Sequence, residues 1–206
     1  MNLPTDDTRR VAPAAARNRD PIRAVLLPEL PGSGLVLEIA SGSGEHTMHI
    51  AASSPTALIF QPTDPDPAAL ASIDAWRTHL GLSNVLPALA LDAASASWPV
   101  THAGAIICIN MVHIAPWSAA EGLMRGARRV LPAGGLLYLY GPFRRDGRHT
   151  SPGNAAFDIS LRAENPDWGV RDLEAVSALA QTNGFGEPRI MQMPANNMSL
   201  VFRRLA

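Results

Sequence analysis

The feature that most constrains this chain is an apolar run that stops in a loop of small residues and passes at once into a helical pattern: Val36-Leu37-Glu38-Ile39-Ala40-Ser41-Gly42-Ser43-Gly44-Glu45-His46-Thr47. Gly42 and Gly44 have no Cβ, so the backbone there can take positive φ and lie against a ligand. The helix that follows presents N–H groups without intrahelical partners. A strand, a tight glycine turn and a helix start in that order suit a nucleotide-type cofactor. About twenty residues on, Phe60-Gln61-Pro62-Thr63-Asp64 ends a second apolar run in a carboxylate, the group that binds a ribose diol in such sites. Gly42-Ser43-Gly44 alone is also what an ordinary turn looks like, so its surroundings decide.

Those surroundings alternate. Apolar runs suited to buried parallel strands cover Leu35 to Ala40, Leu58 to Gln61, Val85 to Leu91, Ala105 to Asn110 and Gly135 to Tyr140. Helical patterns lie between and after them, at Thr47 to Ser53, Pro67 to Leu80, Trp117 to Val130 and Arg171 to Asn183, the last closed by Gly184. Past Gly184 two short strands, Arg189 to Met193 and Met198 to Arg203, are joined by Pro194-Ala195-Asn196-Asn197 as a closing hairpin. Residues 1–16, rich in Pro, Ala and charge, read as a flexible N-terminal arm, and 17–206 as a single domain. Asn18-Arg19-Asp20-Pro21-Ile22 resembles a helix start, with an acid before a proline at the first helical position. The stretch from Arg144 to Asp172 is long for a connection in a compact domain and reads as a lid or substrate loop.

Composition removes several classes of function. A chain of 206 residues, 47% hydrophobic, supports one domain with a sizeable core. Its net charge of −1 and charged fraction of 17% give no global basic field for nucleic acid or an anionic membrane, which leaves a small molecule as the expected partner. Arg125, Arg128, Arg129, Arg144, Arg145 and Arg148 can form a local patch, best read as a solvated face. No run approaches the ~18 apolar residues of a membrane span. No apolar secretory region follows Arg9-Arg10, so the expected address is cytoplasmic. The single cysteine, Cys108, sits in an apolar run and reads as a small buried hydrophobe. All 17 basic residues are arginines, which excludes a Schiff-base lysine and the lysine of a P-loop. His46 and His49 lack the carboxylates or cysteines that would complete a metal site, so no metal is expected.

Two cofactor classes compete for the glycine loop. A dinucleotide fingerprint needs another small residue where this chain has Thr47. Negative charge from Glu38 and Glu45 would repel a pyrophosphate and suit the sulfonium and amino group of S-adenosylmethionine. Glu38-x-Ala40-x-Gly42-x-Gly44 resembles the first motif of class I methyltransferases, in which the acid helps place the methionine end of the cofactor. Strand-helix units closed by an antiparallel hairpin resemble that superfamily's sheet. The expected fold is therefore α/β, Rossmann-like, with a seven-stranded mostly parallel sheet, helices on both faces and a C-terminal antiparallel hairpin. More specific segments are Arg17-Asn18-Arg19-Asp20-Pro21-Ile22, the runs Ser151 to Arg162 and Asn165 to Asp172, and Pro194-Ala195-Asn196-Asn197. With the glycine loop they are similar to a little-characterised family of class I methyltransferases whose animal member is called methyltransferase-like protein 26. The resemblance spans roughly Arg17 to Arg204 and implies the fold and S-adenosylmethionine, with S-adenosylhomocysteine as product. It supplies no acceptor.

Ligands of an open α/β sheet lie beyond the carboxyl ends of its strands. On that rule and the resemblance, the cofactor falls to Glu38, Ala40, Ser41, Gly42 and Gly44, to Asp64 at the ribose, to Asp92 and Ala93 at the adenine, and to Asn110 at the end of the fourth strand. Asp64 and Asp92 can alternatively act as a helix cap and a turn aspartate. His113 is the first candidate for an acceptor-side base, with a bonded core histidine as the competing reading, and His149 is the second candidate. The run Asn110-Met111-Val112-His113-Ile114 departs from the Asn/Asp-Pro-Pro-aromatic motif that holds amides or nucleobases in many methyltransferases. Tyr140 or Phe143 is expected to border the pocket. Arg17, Asn154, Asp158, Asn165, Trp168 and Arg171 are candidates for the acceptor pocket and lid. The expected reaction is methyl transfer to a small acceptor, achieved mainly by positioning. The alternatives are a Rossmann-type NAD(P)-dependent oxidoreductase and a catalytically inactive cofactor-binding scaffold.

Overall fold

A computed structural model describes residues 8–206; residues 1–7, part of the stretch expected to be a flexible arm, lie outside the described residues. Seven strands form one sheet: β1 Gly34–Ile39, β2 Leu58–Asp64, β3 Leu89–Ala90, β4 Ala105–Ile109, β5 Leu136–Gly141, β6 Arg189–Met193 and β7 Asn197–Arg203, in the order β3-β2-β1-β4-β5-β7-β6. The first five are parallel, whereas β7 runs antiparallel to both β5 and β6. This is the mostly parallel sheet with a C-terminal hairpin that the sequence pattern predicts.

Alternate residues of each central strand serve two cores. Val36, Ala105, Ile107, Leu136 and Tyr138 pack under α1 Pro13–Leu26, α2 Glu45–Ala51 and α3 Pro67–Leu80, through Ile22, Leu26, Met48, Ile50 and Ile73. Leu37, Ile106, Cys108, Leu137 and Leu139 face the other way, against α4 Trp117–Val130 and α6 Leu173–Thr182, through Leu123, Ala127 and Val176. Burial on both faces explains why these strands read as continuous apolar runs rather than alternating ones. At the Cβ position of Gly122 a methyl would lie 2.2 Å from the Ala93 carbonyl oxygen, so α4 sits directly on the loop that carries Asp92.

Three expectations need correction. The first helix begins at Pro13, inside the stretch read as an arm, and runs through Pro21. Pro21 lacks the N–H that would bond the Arg17 carbonyl, but burial of Ala15, Ile22 and Leu26 holds the helix together. The third strand shrinks to Leu89–Ala90, with an isolated bridge between Phe60 and Val85, because Pro87 cannot donate to the ladder. The stretch from Arg144 to Asp172 is not a bare loop. It contains α5 Pro152–Glu164, started by Ser151, whose side chain accepts from Asn154 N–H, and by Pro152 in the first turn. Its neck is tied by Arg144 N–H to Arg171 O at 2.9 Å and by an Arg144–Asp172 ion pair at 2.6 Å.

Candidate functional site

β1 and β4 lie side by side at the centre of the sheet, and the chain leaves their carboxyl ends in opposite directions, the switch point where open α/β sheets bind ligands. Backbone in the left-handed region concentrates here: Ala40 at φ 56°, Gly42 at 57°, Gly44 at 89° and, at the end of β4, Asn110 at 63°. The non-glycine members of such a cluster mark a strained, over-determined site. The two glycines have different jobs. A Cβ on Gly42 would meet nothing within 4 Å, so this residue faces open space, whereas one on Gly44 would lie 3.0 Å from Cα and Cγ1 of Ile73 in α3.

The acids around the loop hold it in shape. Asp64 accepts from Gly42 N–H and from Asp66 N–H, each at 2.9 Å, so it braces the loop and keeps a lone pair on each oxygen for a further donor. Ser41 Oγ accepts from Thr63 N–H at 3.2 Å, and Ser41 N–H donates to Thr63 O at 2.8 Å. Glu38 is buried beneath the loop, where the Thr47 hydroxyl donates to its carboxylate. Burial pushes its pKa up to about 7 against the opposing hydrogen bonds from Thr47 and Ser41. Glu45 accepts from Ala12 N–H at 2.7 Å and from the Ser43 hydroxyl at 2.9 Å. The charge argument from Glu38 and Glu45 therefore needs correction, since one is buried near its titration point and the other anchors the chain before α1. That segment lies across α3: Arg10 N–H donates to Ser72 Oγ at 2.8 Å and Trp76 Nε1–H to Arg10 O at 2.9 Å, while Arg9 stacks over the Trp76 ring at 4.7 Å. Asp92 is exposed, with Oδ1 accepting from Ala94 N–H at 2.8 Å, and Ala93 is buried beside it.

Next to this loop a cavity of about 720 Å³ opens. Arg17 and Asn18 of α1 form one side, Asn110 and Ile114 the β4 end, Tyr140 and Pro142 the β5 end, Asn154 and Phe157 of α5 another side, and Ala195–Asn197 the hairpin turn. Asn154 amide N–H groups reach Thr150 Oγ1 and Asn196 O, both at 2.9 Å, which ties α5 to a turn where Ala195 and Asn196 both hold φ at 57°. The Tyr140 hydroxyl bonds the side chains of Asn18 and Asn197, and burial raises its pKa despite them. Asn18 Oδ1 also lies 2.8 Å from His46 Nε2. Burial drives the His46 pKa down to about 4, so the ring is neutral and donates through Nε2. Asn18 was hidden among the residues of α1, and Asn196 and Asn197 showed only as part of a family-specific turn.

The two candidate bases are not among the residues lining the cavity. His113 is fully buried, with its ring edge on Phe143 at a centroid distance of 4.7 Å. Its Nδ1 accepts from Arg171 N–H at 3.2 Å and its carbonyl from Gly169 N–H at 2.9 Å. Burial, reinforced by the Arg171 charge, takes its pKa down to about 3. His113 is therefore a neutral core histidine that fastens the β4 turn to the segment before α6. His149 Nε2 lies 3.5 Å from Asp158. Asp158 accepts from Val170 N–H at 2.7 Å and Arg162 Nε–H at 3.1 Å. Burial alone would raise its pKa, but Arg162 and the Val170 N–H reverse the direction and lower it. Arg171 donates to the carbonyls of Val112, Ala115 and Asp167. Asn165 accepts from Asp167 N–H at 2.9 Å through Oδ1 and from Trp168 N–H at 3.0 Å through its carbonyl. Of the six acceptor-side candidates, Arg17 and Asn154 line the cavity, while Asp158 on α5 and Asn165, Trp168 and Arg171 in the strap that follows α5 do not. Among the described residues no cluster of three or more His, Cys, Asp or Glu is placed to hold a metal, and no helix is long and apolar enough to cross a membrane.

A family model described as a protein of unknown function (DUF938) matches residues 9–204. The fold is similar to that of an O-methyltransferase family protein from Burkholderia thailandensis, with a TM-score of 0.80 at 17% identity over 94% of this chain and 58% of that one. Human N-acetylserotonin methyltransferase, solved in complex with S-adenosylmethionine, gives 0.77 at 12% over 94% and 53%. The mitomycin 7-O-methyltransferase MmcR gives 0.79 at 14% over 93% and 54%. The chain thus spans little more than half the length of these proteins. At such identities the likeness establishes the fold, which is the Rossmann-like class I methyltransferase fold.

Proposed function

The chain belongs to the DUF938 family of proteins of unknown function, and we propose that it is an S-adenosylmethionine-dependent methyltransferase acting on a small-molecule acceptor. The observation that carries this reading is the open side of Gly42 at the β1–β4 switch point, where Asp64 accepts from the Gly42 N–H and Asn110, at the end of β4, lines the cavity. The residues fit the cofactor. Backbone of Ala40, Ser41, Gly42 and Gly44 would take its methionine end, Asp64 with its unused lone pairs the ribose, Asp92 and Ala93 the adenine, and Asn110 would stand between cofactor and acceptor. Glu38 would act from beneath, by setting the loop through Thr47. Resemblance in the segments at Arg17–Ile22, Ser151–Asp172 and Pro194–Asn197 supports placing the chain beside methyltransferase-like protein 26.

A bound S-adenosylmethionine supplies an electrophilic methyl group on a sulfonium with a good leaving group. The chain's own task is then to hold an acceptor atom in line, at about 3–3.5 Å, and to exclude water. The cavity offers the amides of Asn18, Asn110, Asn154 and Asn197, and no histidine or carboxylate, so its residues position and desolvate the acceptor. A nicotinamide cofactor would suit the same glycine loop, but the antiparallel β7, set between β5 and β6, is not the all-parallel continuation of a dinucleotide fold.

The test is to incubate the protein with methyl-labelled S-adenosylmethionine and a fractionated cell extract. Protein-dependent release of S-adenosylhomocysteine with label in the low-molecular-mass fraction is the expected result. Label confined to protein or nucleic acid would overturn the acceptor class, and cofactor binding without turnover on any fraction would favour an inactive scaffold.

A further inference from the structure

The methyltransferase reading leaves the acceptor's chemical class open, and the cavity narrows it. Arg17 is the only charged side chain among the residues lining the 720 Å³ cavity, and no carboxylate faces it there. It makes no hydrogen bond or ion pair with any described residue. The acids around it on α1 and α2 are already committed: Asp20 pairs with Arg23 and His49, and Glu45 accepts from Ala12 N–H. What surrounds Arg17 in the cavity is a set of neutral amides, Asn18, Asn154 and Asn197. The lining also includes apolar side chains, and two of them, Ile114 and Phe157, leave 42% and 39% of their surface exposed, more than a buried core would allow.

A guanidinium with five donors and no partner among the described residues, set among amides and facing no acid in the cavity lining, is a receptor for a planar or tetrahedral oxyanion. We propose that the cavity binds an acceptor carrying a carboxylate or phosphate group on Arg17 and an apolar ring or chain against Ile114 and Phe157. The word acceptor rests on the methyltransferase reading, whereas the anion site stands on the cavity alone. The same carboxylate chemistry could reach Arg17 from the methionine end of the cofactor, so the test separates the two sources.

Phenylacetate, 4-hydroxybenzoate and phenyl phosphate, with phenylacetamide and 4-hydroxybenzamide as neutral counterparts, are titrated by calorimetry into the protein saturated with S-adenosylhomocysteine. At least one anionic probe should bind at least about tenfold tighter than its neutral analogue, the range expected of a charge-assisted hydrogen bond. Arg17→Gln should abolish that preference while keeping the melting temperature and the affinity for S-adenosylhomocysteine. Arg17→Lys, which keeps the charge without the fork, should restore part of it. Equal binding of neutral and anionic probes, or no binding of any anion, would overturn the proposal. So would an Arg17→Gln variant that loses affinity for S-adenosylhomocysteine but not for 5′-methylthioadenosine, which lacks the amino-acid end. If the wild type ignores S-adenosylhomocysteine yet still prefers anions when titrated without it, the methyltransferase reading fails and the anion site survives.

Discussion

Alanine at Gly42 and alanine at Gly44 should damage different properties of the protein. Both positions hold left-handed backbone, at φ 57° and 89°, and an L-residue there costs about 1–2 kcal/mol. At Gly42 nothing else is added, because the new methyl meets no protein atom within 4 Å. The expected loss is about 1–2 kcal/mol, or roughly 2–8 °C in melting temperature for a domain of this size. At Gly44 the methyl would lie 3.0 Å from Cα of Ile73, a backbone atom that cannot swing aside. Overpacking of that kind adds about 1–3 kcal/mol, for a total of about 2–5 kcal/mol. Ligand binding should show the opposite order. The Gly42 methyl projects into the space proposed for the cofactor and should weaken S-adenosylhomocysteine by about tenfold or more, equivalent to ~1.4 kcal/mol. The Gly44 variant, measured where it is still folded, should bind more nearly as the wild type does. Urea unfolding and calorimetric titration of both variants decide the matter. A Gly42→Ala protein that binds S-adenosylhomocysteine with unchanged affinity would refute the assignment of the loop's open side to the cofactor.

Three further perturbations bear on the buried ionisable groups. Glu38 rises from an ordinary 4.5 to about 7, so folding takes up a proton. The stability this group contributes is full below pH 4.5 and is lost as pH rises toward 7, by on the order of 3 kcal/mol. Urea midpoints measured across that window should fall for the wild type and stay flatter for Glu38→Gln, and parallel curves would contradict the burial argument. His113 stays neutral in the folded protein down to about pH 3, whereas the unfolded chain protonates near 6.5. His113→Asn, which keeps an acceptor for Arg171 N–H, should therefore leave the shape of the pH–activity profile unchanged, and a lost limb would restore the base role. Asp158→Ala strips the acceptor from Val170 N–H and Arg162. It should cost about 2–3 kcal/mol by urea unfolding, and a change below about 0.5 kcal/mol would show that the strap is held elsewhere.

The parts of this fold that were legible in the sequence are those where one local signal agrees with burial. β1, β4 and β5 read as apolar runs because both of their faces are covered. α3 and α4 read by their period, and the turn after Thr182 by Gly184 at φ 80°. The glycine loop was legible as a turn at a strand end because its backbone is left-handed at Gly42 and Gly44, and Asp64 braces it through the Gly42 N–H. Reading failed where tertiary contacts override a local signal. Asp20-Pro21 looks like a helix start, yet packing of Ile22 and Leu26 carries the helix through it. α5 was readable in principle from Ser151-Pro152, a cap and a first-turn proline, but the mixed residues after it hid the helix. The acceptor side was the least legible. Asp158 and Arg171 carry the residue types of a binding site, but besides local partners each is tied to backbone distant in sequence, Asp158 to Val170 N–H and Arg171 to the carbonyls of Val112 and Ala115. Nothing local distinguishes them from Arg17, which has no partner among the described residues.

The measurement that bears most directly on the central claim is calorimetric titration of the wild-type protein with S-adenosylhomocysteine and, separately, with NAD. A single-site isotherm for S-adenosylhomocysteine and none for NAD is the predicted result. It should be matched in melting experiments by a gain of about 2.7 kcal/mol at ~100 times the dissociation constant. Binding of NAD with no response to S-adenosylhomocysteine would contradict the account.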